Sequence, residues 1–390
     1  MNYSLNIHII NIVVERIIMK KLLYVIYSLE DCGPVKVLYN IICGIDRTKY
    51  EVFVLALFAA PQRDLQSSFE SLGVKVYVLT FSWIRMLISG NYLLSKFIKK
   101  IKPDIVHTQC FFSTFFMQSF GQQIKLCTTI HCLFYEDFAF TYGKSIGSAM
   151  TWMYVNALKK YNVCVACSEN VERELLKKYQ INLTHVRNGT QIPVLQHTKE
   201  KYVLNKKRNN IGVSEKQKMF ICTGVICARK NQVQILRCLK KLNNVSVVFL
   251  GDGPDFEVMR NEAPGNAIFL GNVNDVYEYL SIADGFVSTS FSEGMPNAVL
   301  EALMMGLPCI LSNIEPHCEI KRAYSEACYL YEIDDDDDLL ACFRKVIDME
   351  MTWEVHENIS NVSRKLFSSE AMSRKYQDIY EAFGFRGSFR

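Results

Sequence analysis

Two glutamates, Glu293 and Glu301, stand eight residues apart around a turn that leads into a helix. The apolar run 285–289 predicts a strand before the turn, and a helical pattern begins around Asn297. A turn at a helix N-terminus presents unpaired N–H groups and a positive dipole, which suit a pyrophosphate. One carboxylate can then reach a sugar hydroxyl, while the other accepts two hydrogen bonds from a ribose diol. The alternative for Glu301 is an ordinary exposed glutamate of a helix.

Two adjacent cations, Arg229 and Lys230, follow the predicted strand 218–223. We expect Lys230 to open the next helix, where a positive charge is unfavourable to the helix itself and therefore indicates an anionic partner. Arg229 is either a second cation for that partner or a solvent-exposed side chain.

Two histidines lie at the ends of predicted strands in the first half of the chain. His131 follows strand 125–130 and precedes an aromatic-rich stretch, so its imidazole is a candidate hydrogen-bond donor at the carboxyl end of the sheet. The alternative is a structural histidine at a strand end. His107 ends strand 104–107, and its context leaves a structural role and an acceptor-lining role open.

Short apolar runs alternate with amphipathic stretches along the chain, which is typical of parallel β/α units. The polar, irregular stretch 190–207 separates two such series, so we predict an α/β chain of two domains. Such sheets bind ligands outside the carboxyl ends of their strands, which here means the cleft between the domains. The last segment, 356–383, is predicted to form one or two helices. The predicted strands are 22–27, 51–57, 74–79, 104–107, 125–130 and 162–167, then 218–223, 245–250, 267–270, 285–289, 308–312 and 327–331.

The composition is ordinary for a globular enzyme and excludes a disordered or fibrous chain, with 49% apolar and 22% charged residues. The 14 cysteines fall at apolar positions, which predicts buried free thiols in a reducing compartment. Cys164 and Cys167 have no second pair, so we expect no metal or redox role for them. The acidic run 334–338 is predicted to cap a helix, and no Asp-x-Asp turn follows a strand at the cleft.

Charge is distributed unevenly along the sequence. Residues 1–195 carry 21 Lys and Arg against 13 Asp and Glu, whereas the remainder carries 23 against 27. The basic first half indicates an anionic acceptor or an anionic membrane surface, and no basic block with interleaved aromatics indicates nucleic acid. Residues 83–88 and 93–102 mix large apolar side chains with lysines, which is typical of a bilayer interface. The alternative is that the apolar residues of 94–101 pack on the sheet while the lysines face water.

The segment that carries the two glutamates, with Gly294-Met295-Pro296-Asn297, resembles the donor-binding signature of the retaining glycosyltransferases of family 4. The chain departs from the family at Val225, where an arginine is common, and Arg229 is the expected substitute. Further segments that resemble the family follow in the family's order: Gly33-Pro34, Thr129-Ile130-His131, Cys167-Ser168-Glu169, Val186-Arg187-Asn188-Gly189, Thr223-Gly224, Lys230-Asn231-Gln232, Leu250-Gly251-Asp252-Gly253-Pro254 and Phe269-Leu270-Gly271-Asn272-Val273.

This resemblance implies the GT-B architecture, in which two Rossmann-like, doubly wound α/β domains face a central cleft. We expect residues 19–195 to bind the acceptor, 196–368 to bind the donor, and 369–390 to form a C-terminal helix that packs back on the N-terminal domain. Residues 1–18 are expected to be a non-native or disordered extension, the alternative being a helix that touches a membrane.

The resemblance also implies roles for individual residues. His131 and Glu293 would be catalytic, Glu301 would bind the ribose hydroxyls, and Lys230 would bind the diphosphate. The implied donor-binding residues are Gly33, Gly224, Arg229, Lys230, Asn272, Val273, Gly294, Met295, Pro296, Asn297 and Glu301.

The implied activity is transfer of a sugar, with retention, from a nucleotide sugar to a saccharide or lipid-linked acceptor in surface polysaccharide synthesis. A UDP-sugar is favoured over a GDP-sugar, and no metal or other cofactor is expected. No nucleophilic carboxylate is evident near His131, which favours front-face attack with the leaving diphosphate taking the acceptor's proton. We expect a cytoplasmic enzyme, peripheral on the inner face of the membrane. The alternatives are a nucleotide-sugar 2-epimerase and a catalytically silent donor-binding subunit.

Overall fold

The computed structural model describes residues 19–61, 63–193 and 201–383, without the side chains of 201–205. The expected extension 1–18, the expected boundary at 195/196 and the last residues of the expected C-terminal segment lie outside these ranges. The described residues form two parallel sheets, each flanked by helices. All twelve predicted strands are present, and the sequence analysis missed only β7, a two-residue polar strand among the described residues.

The first sheet has seven strands in the order β3-β2-β1-β4-β5-β6-β7. Its central strands β1 and β2 are nearly continuous apolar runs because helices cover both faces of a parallel sheet. The strands are β1 Lys20–Ile26, β2 Tyr50–Ala56, β3 Lys75–Val78, β4 Ile105–Gln109, β5 Lys125–Ile130, β6 Val163–Ala166 and β7 Thr184–His185. The helices are α1 Gly33–Cys43, α2 Gln66–Ser71, α3 Trp83–Ile101, α4 Cys110–Met117, α5 Phe134–Leu158, α6 Glu169–Tyr179 and, at the entry to the second domain, α7 Lys201–Asn210.

The second sheet has six strands in the order β10-β9-β8-β11-β12-β13. Asp335 caps α13 by accepting hydrogen bonds from the backbone N–H groups of Asp337 and Asp338, which confirms the predicted role of the acidic run. The strands are β8 Lys218–Thr223, β9 Val245–Leu250, β10 Ala267–Gly271, β11 Gly285–Ser288, β12 Cys309–Ser312 and β13 Cys328–Tyr331. The helices are α8 Val233–Leu239, α9 Phe256–Glu262, α10 Val276–Leu280, α11 Asn297–Met304, α12 Glu315–Ala323, α13 Asp336–Ile347, α14 Trp353–Phe367 and α15 Ser369–Ala382.

Both sheets reverse their strand order next to their first strand, and this positions the site. In the first sheet β1 lies between β2 and β4, and in the second β8 lies between β9 and β11. Connections from the two neighbours run in opposite directions there, so a crevice opens at the carboxyl ends of the strands. The loops after β1, β5, β8 and β11 therefore meet in the cleft between the domains.

The chain crosses between the domains twice, and the two crossings are paired. Thr190 and Ser368 form a parallel bridge, with the Thr190 N–H donating to Phe367 O at 2.9 Å and the Ser369 N–H donating to Thr190 O at 3.0 Å. The second crossing brings α15 onto α1, where Tyr376 and Tyr380 are fully buried in a core of the first domain. The last helix is thus part of the first domain's core.

Helix α3 is one continuous element that includes both stretches singled out as an interfacial segment. Leu94, Ile98 and Ile101 are buried, so this half of the helix packs on the domain as the alternative in the sequence analysis states. Residues 83–88 are not all free to enter a bilayer interface, because Met86 is fully buried and the Trp83 ring stacks on Phe58. No helix in the described part of the chain is both long and apolar enough to cross a bilayer.

Candidate active site

A cleft of about 1180 Å³ lies between the two domains, and all thirteen predicted site residues line it. They are His131, Glu293, Gly33, Gly224, Arg229, Lys230, Asn272, Val273, Gly294, Met295, Pro296, Asn297 and Glu301. Gly33 is the first residue of α1 and is followed by Pro34 in the first turn. Proline fits there because the first N–H groups of a helix have no intrahelical partner.

Glu293 lies at the centre of a cluster of opposite charge. Its carboxylate accepts hydrogen bonds from the Lys230 ammonium and, at 2.7 Å, from the Ser290 hydroxyl. Arg229 Nη1 is 3.6 Å from Glu293 Oε2 and also donates to the carbonyl of Ser292. Burial alone would raise the pKa of Glu293, but the charges of Lys230 and Arg229 hold it at about 2. The carboxylate is therefore ionised at every physiological pH.

The expectation that Lys230 opens a helix is wrong. Lys230 ends a 3₁₀ turn, Ala228–Lys230, and Asn231 follows with a left-handed φ of 51°, so α8 begins only at Val233. The Thr289 hydroxyl lies 2.9 Å from the carbonyl oxygens of Lys230 and Asn231, which ties this turn to the end of β11. Lys230 is aimed at the cleft by this turn, and the helix-dipole argument does not apply to it.

The N-terminus of α11 is open towards the cleft. Its N-cap residue is Pro296, and no side chain caps the helix, so its first N–H groups are available to an anion. Gly294 lies directly against the other domain: a Cβ atom at this position would stand 1.9 Å from the carbonyl oxygen of His131. Only glycine allows this approach, which brings His131 next to the Glu293 turn.

Glu301 lies one turn beyond Asn297 on α11 and also lines the cleft. Burial raises the pKa of Glu301 to about 7, an effect that Lys36 of the first domain opposes and Asp31 reinforces. The nearby Tyr277 hydroxyl on α10 also opposes this rise in pKa, and it donates to Gln191 O at 3.3 Å. The group is thus partly protonated near neutral pH when no ligand is bound, which is not the behaviour of an ordinary exposed helix glutamate.

His131 and His107 belong to different environments. His131 lines the cleft, and its Nε2 lies 2.7 Å from Gln109 Oε1. His107 is fully buried, between Tyr380 OH at 2.6 Å and Thr129 Oγ1 at 2.8 Å, and is absent from the cleft wall. Burial lowers the pKa of both rings, to about 4 for His131 and about 3 for His107. Of the two roles left open for His107, the structure therefore favours the structural one.

Several residues of the cleft were not found by sequence reasoning. Asn188, named from the sequence only within the segment 186–189, donates through Nδ2 to Asn297 Oδ1 at 2.9 Å and to Met295 O at 3.4 Å. Arg63 lines the cleft and donates to Asn274 Oδ1 in the opposite domain at 3.4 Å. Asp31 and Lys36 also line the cleft, where they form an ion pair. The sequence could have indicated them, because charged residues on either side of a cleft glycine are candidates for ligand contacts. Val225 leaves no cation at the position where the family commonly has arginine, and it is 54% exposed.

A buried carboxylate ties the domains together behind the cleft. Glu319 on α12 has no exposed surface and accepts a hydrogen bond from Arg187 Nε at 2.6 Å. It also accepts from the backbone N–H groups of Glu169 at 3.2 Å and Asn170 at 3.3 Å, the first residues of α6. A side chain of the second domain thus caps a helix of the first.

Cysteines and carboxylates do not gather into a metal-binding arrangement anywhere in the described ranges. All 14 cysteines are free thiols, and Cys164 and Cys167 are both buried.

The chain matches two family descriptions, "Glycosyltransferase Family 4" over residues 33–192 and "Glycosyl transferases group 1" over residues 204–366. It is 27% identical over 307 residues to a UDP-Gal:alpha-D-GlcNAc-diphosphoundecaprenol alpha-1,3-galactosyltransferase of Escherichia coli, covering 74% of this chain and 77% of that protein. It is 22% identical over 371 residues to the O-antigen biosynthesis glycosyltransferase WclY of Escherichia coli, covering 92% and 98%.

A sucrose-phosphate synthase from Thermosynechococcus elongatus has a similar solved structure. The TM-score is 0.77 at 14% identity, over 93% of this chain and 99% of that one. At this identity the likeness shows a common fold, two Rossmann-like domains around a cleft.

Proposed function

The chain belongs to the family 4 glycosyltransferases of GT-B architecture, and on that premise we propose that it transfers a sugar from a UDP-sugar to a lipid-linked saccharide, with retention at the anomeric carbon. Its place would be surface polysaccharide assembly. The names of two relatives support these classes: one uses UDP-Gal and a diphosphoundecaprenol-linked acceptor, and the other serves O-antigen biosynthesis.

The observation that carries the proposal is the distribution of charge around α11. Lys230, Arg229 and the open helix N-terminus lie together and can hold a diphosphate, while Glu301, further along the helix, can accept from the ribose hydroxyls. Glu293, ionised and held by the same two cations, is left to accept a hydroxyl of the donor sugar. A nucleotide sugar laid along this helix meets a matching group at each of its parts.

The chemistry follows from the same groups. As the bond from the sugar to the diphosphate lengthens, negative charge grows on the diphosphate, where Lys230 and the helix N–H groups stabilise it. In front-face attack an oxygen of the leaving diphosphate takes the proton of the acceptor hydroxyl, so no protein base is required. His131 is uncharged at neutral pH because its pKa lies near 4.

Two carboxylates, Glu136 and Asp137 in the first turn of α5, also line the cleft. They allow a test of the alternative mechanism, in which a carboxylate of the protein attacks the sugar as a nucleophile. If either were a nucleophile, Asp137→Asn or Glu136→Gln would abolish transfer. Front-face attack predicts that each variant keeps measurable turnover.

The activity test is a panel of UDP- and GDP-sugars with undecaprenyl diphosphate saccharides as acceptors, with and without EDTA. We expect a product from one UDP-sugar whose new linkage keeps the anomeric configuration, seen by NMR, and whose yield is unchanged by EDTA. Lys230→Ala should remove this product, whereas Lys240→Ala, an exposed lysine of the same domain, should not. An inverted linkage, a GDP-sugar donor or inhibition by EDTA would each contradict the corresponding part of the proposal.

We further propose that helix α3 attaches the first domain to the anionic inner face of a membrane. Its first turns expose Ile84 (71%), Leu87 (61%) and Ile88 (79%) on one side. Four lysines, Lys96, Lys99, Lys100 and Lys102, are exposed at its other end. Apolar groups beside clustered lysines suit the headgroup region of an anionic bilayer.

Co-sedimentation with vesicles tests the attachment. Binding should rise with the fraction of anionic lipid and fall with salt, because the Debye length shortens from about 8 Å at physiological strength to about 3 Å at 1 M. Leu87→Ser with Ile88→Ser should weaken binding, whereas Val258→Ser, an equally exposed apolar residue of the second domain, should not. Binding that ignores lipid charge and salt would leave the basic first domain to be explained by the acceptor.

A further inference from the structure

A chain of hydrogen bonds connects the C-terminal helix α15 with His131 in the cleft. His131 Nε2 is 2.7 Å from Gln109 Oε1, and Gln109 Nε2 is 3.2 Å from His107 Nε2. His107 Nδ1 is 2.6 Å from Tyr380 OH, which is 3.0 Å from Tyr24 OH. Gln109, His107, Tyr380 and Tyr24 have no exposed surface, so water does not compete for these bonds.

The register of two neighbouring strands builds this chain. Parallel pairing sets Gln109 of β4 opposite Thr129 of β5, and side chains two residues apart in a strand point to the same face. His107 and Gln109 therefore share a face, and His131 follows β5 two residues after Thr129. The amide of Gln109 lies between the two rings as a result.

The amide fixes the protons of both rings. Its oxygen only accepts and its nitrogen only donates. His131 must therefore carry its proton on Nε2, the nitrogen that faces the amide oxygen. The His107 Nε2 faces the amide nitrogen at 3.2 Å and the Thr129 hydroxyl at 2.8 Å, so it must be bare and accept from both. His107 then carries its proton on Nδ1 and donates to Tyr380 OH. Turning the Gln109 amide over would exchange its oxygen and nitrogen and so change the tautomer of both rings. The tautomer of His131 is therefore linked to that of His107.

We propose that Gln109 is a positioning residue that holds His131 as the neutral Nε2–H tautomer, so that Nδ1 is a hydrogen-bond acceptor in the cleft. No protein group of the described residues is hydrogen-bonded to Nδ1 of His131. Resting on the proposed function, this means that His131 accepts a hydrogen bond from a sugar hydroxyl. From its position in the sequence the ring was expected to donate, and this tautomer does not allow donation at Nδ1.

The first test reads the tautomer directly and needs no substrate. Long-range ¹H–¹⁵N spectra of the ¹⁵N-histidine-labelled full chain distinguish Nε2–H from Nδ1–H, and the His131 signals are identified by their loss in His131→Phe. We expect Nε2–H for His131 and Nδ1–H for His107. The opposite pair of tautomers would overturn the proposal.

The second test perturbs the far end of the chain of bonds. Tyr380→Phe removes the acceptor of the His107 Nδ1 proton, so His131 should no longer be purely Nε2–H. Tyr50→Phe is the matched control, because Tyr50 is also buried and packs edge-on against Tyr380 but is not one of the bonded residues. An unchanged His131 signal in Tyr380→Phe would show that the link ends before His131.

The third test measures the consequence for transfer. Gln109→Met keeps the length of the side chain and removes both hydrogen bonds, so kcat should fall roughly tenfold to a hundredfold, as for a misplaced reacting group. The Kd of UDP should stay the same, because Gln109 does not line the cleft. Gln109→Glu keeps an acceptor for the His131 Nε2–H and should recover part of the kcat.

The outcomes separate the two proposals. A wild-type chain that transfers no sugar contradicts the proposed function, while the spectra still decide the tautomer of His131. Equal kcat in wild type and Gln109→Met would overturn the positioning role even if transfer is observed.

Discussion

The replacement Glu301→Gln tests the most unusual electrostatic feature of the cleft. Burial raises the pKa of this carboxyl from 4.5 to about 7. In the folded chain the protonated form is therefore favoured relative to the unfolded chain. The stabilisation that this provides is complete below pH 4.5 and is lost as the pH rises to about 7 and beyond.

The magnitude follows from the size of the shift. At 1.36 kcal/mol per pKa unit, ionising Glu301 costs the folded state up to about 3 kcal/mol at pH 8. Glutamine has the same shape and no charge at any pH. Glu301→Gln should therefore have a free energy of unfolding higher than wild type by up to about 3 kcal/mol at pH 8, and nearly equal to it at pH 4.5.

The same substitution should weaken the binding of uridine, a probe that has the ribose but no phosphate. Hydrogen bonds to a charged group contribute roughly 1.5–3 kcal/mol, and glutamine offers one acceptor oxygen instead of two. Wild-type affinity should also fall about tenfold per pH unit below pH 6, as the carboxylate is protonated, while the affinity of Glu301→Gln should not depend on pH.

Urea unfolding at pH 4.5 and 8, with uridine titration calorimetry across pH 5–8, measures both effects. In Glu301→Gln the free energy of unfolding at pH 8 should rise while the affinity for uridine falls. Both follow from the same charge, which destabilises the protein without ligand and accepts the hydrogen bonds of the ribose. A variant with wild-type stability at pH 8 and wild-type uridine affinity would refute the buried, ribose-binding assignment of Glu301.

Three further sites give predictions of the same kind. Lys230→Ala should lower both turnover and UDP affinity in transfer and calorimetric assays, and Arg229→Ala should do so in part; wild-type behaviour of Arg229→Ala would mean that Lys230 acts alone. Glu293→Gln should lower turnover more than UDP affinity, because its partner is the sugar, and the reverse pattern would contradict that role. Arg187→Ala should lower the free energy of unfolding in urea by about 3 kcal/mol, because it leaves Glu319 buried with less compensation; no change would show that the α6 N–H groups suffice.

The sheets could be predicted from the sequence because parallel strands are buried on both faces. Val245–Leu250, for example, is buried at every position and is apolar except for Ser246. The predicted site residues line one cleft for a related reason: most of them follow strands next to the points where the strand order reverses. The family and the fold implied by the resemblance are confirmed.

What the sequence did not reveal depends on backbone details and on register. The start of α8 was predicted too early because Asn231 takes a left-handed conformation. Asparagine tolerates this conformation, but its presence in a sequence does not predict it. Gln109 was missed because it is a polar residue at the end of a strand, and its partner His131 is brought to it only by the pairing of β4 with β5. The contact between Asn188 and Asn297 likewise joins residues 109 positions apart, which no local pattern in the sequence brings together.

The position of α15 has a consequence for how the protein is made. The first domain emerges from the ribosome early, yet Tyr376 and Tyr380, which fill its core, are synthesised only after the whole second domain. At roughly 5–20 residues per second, the intervening second domain delays their arrival by about ten seconds or more. The nascent first domain must persist during that time with an open core around His107. A premature stop codon shortly before Ser369 would therefore damage the domain encoded first, and leave the sheet of the second domain intact.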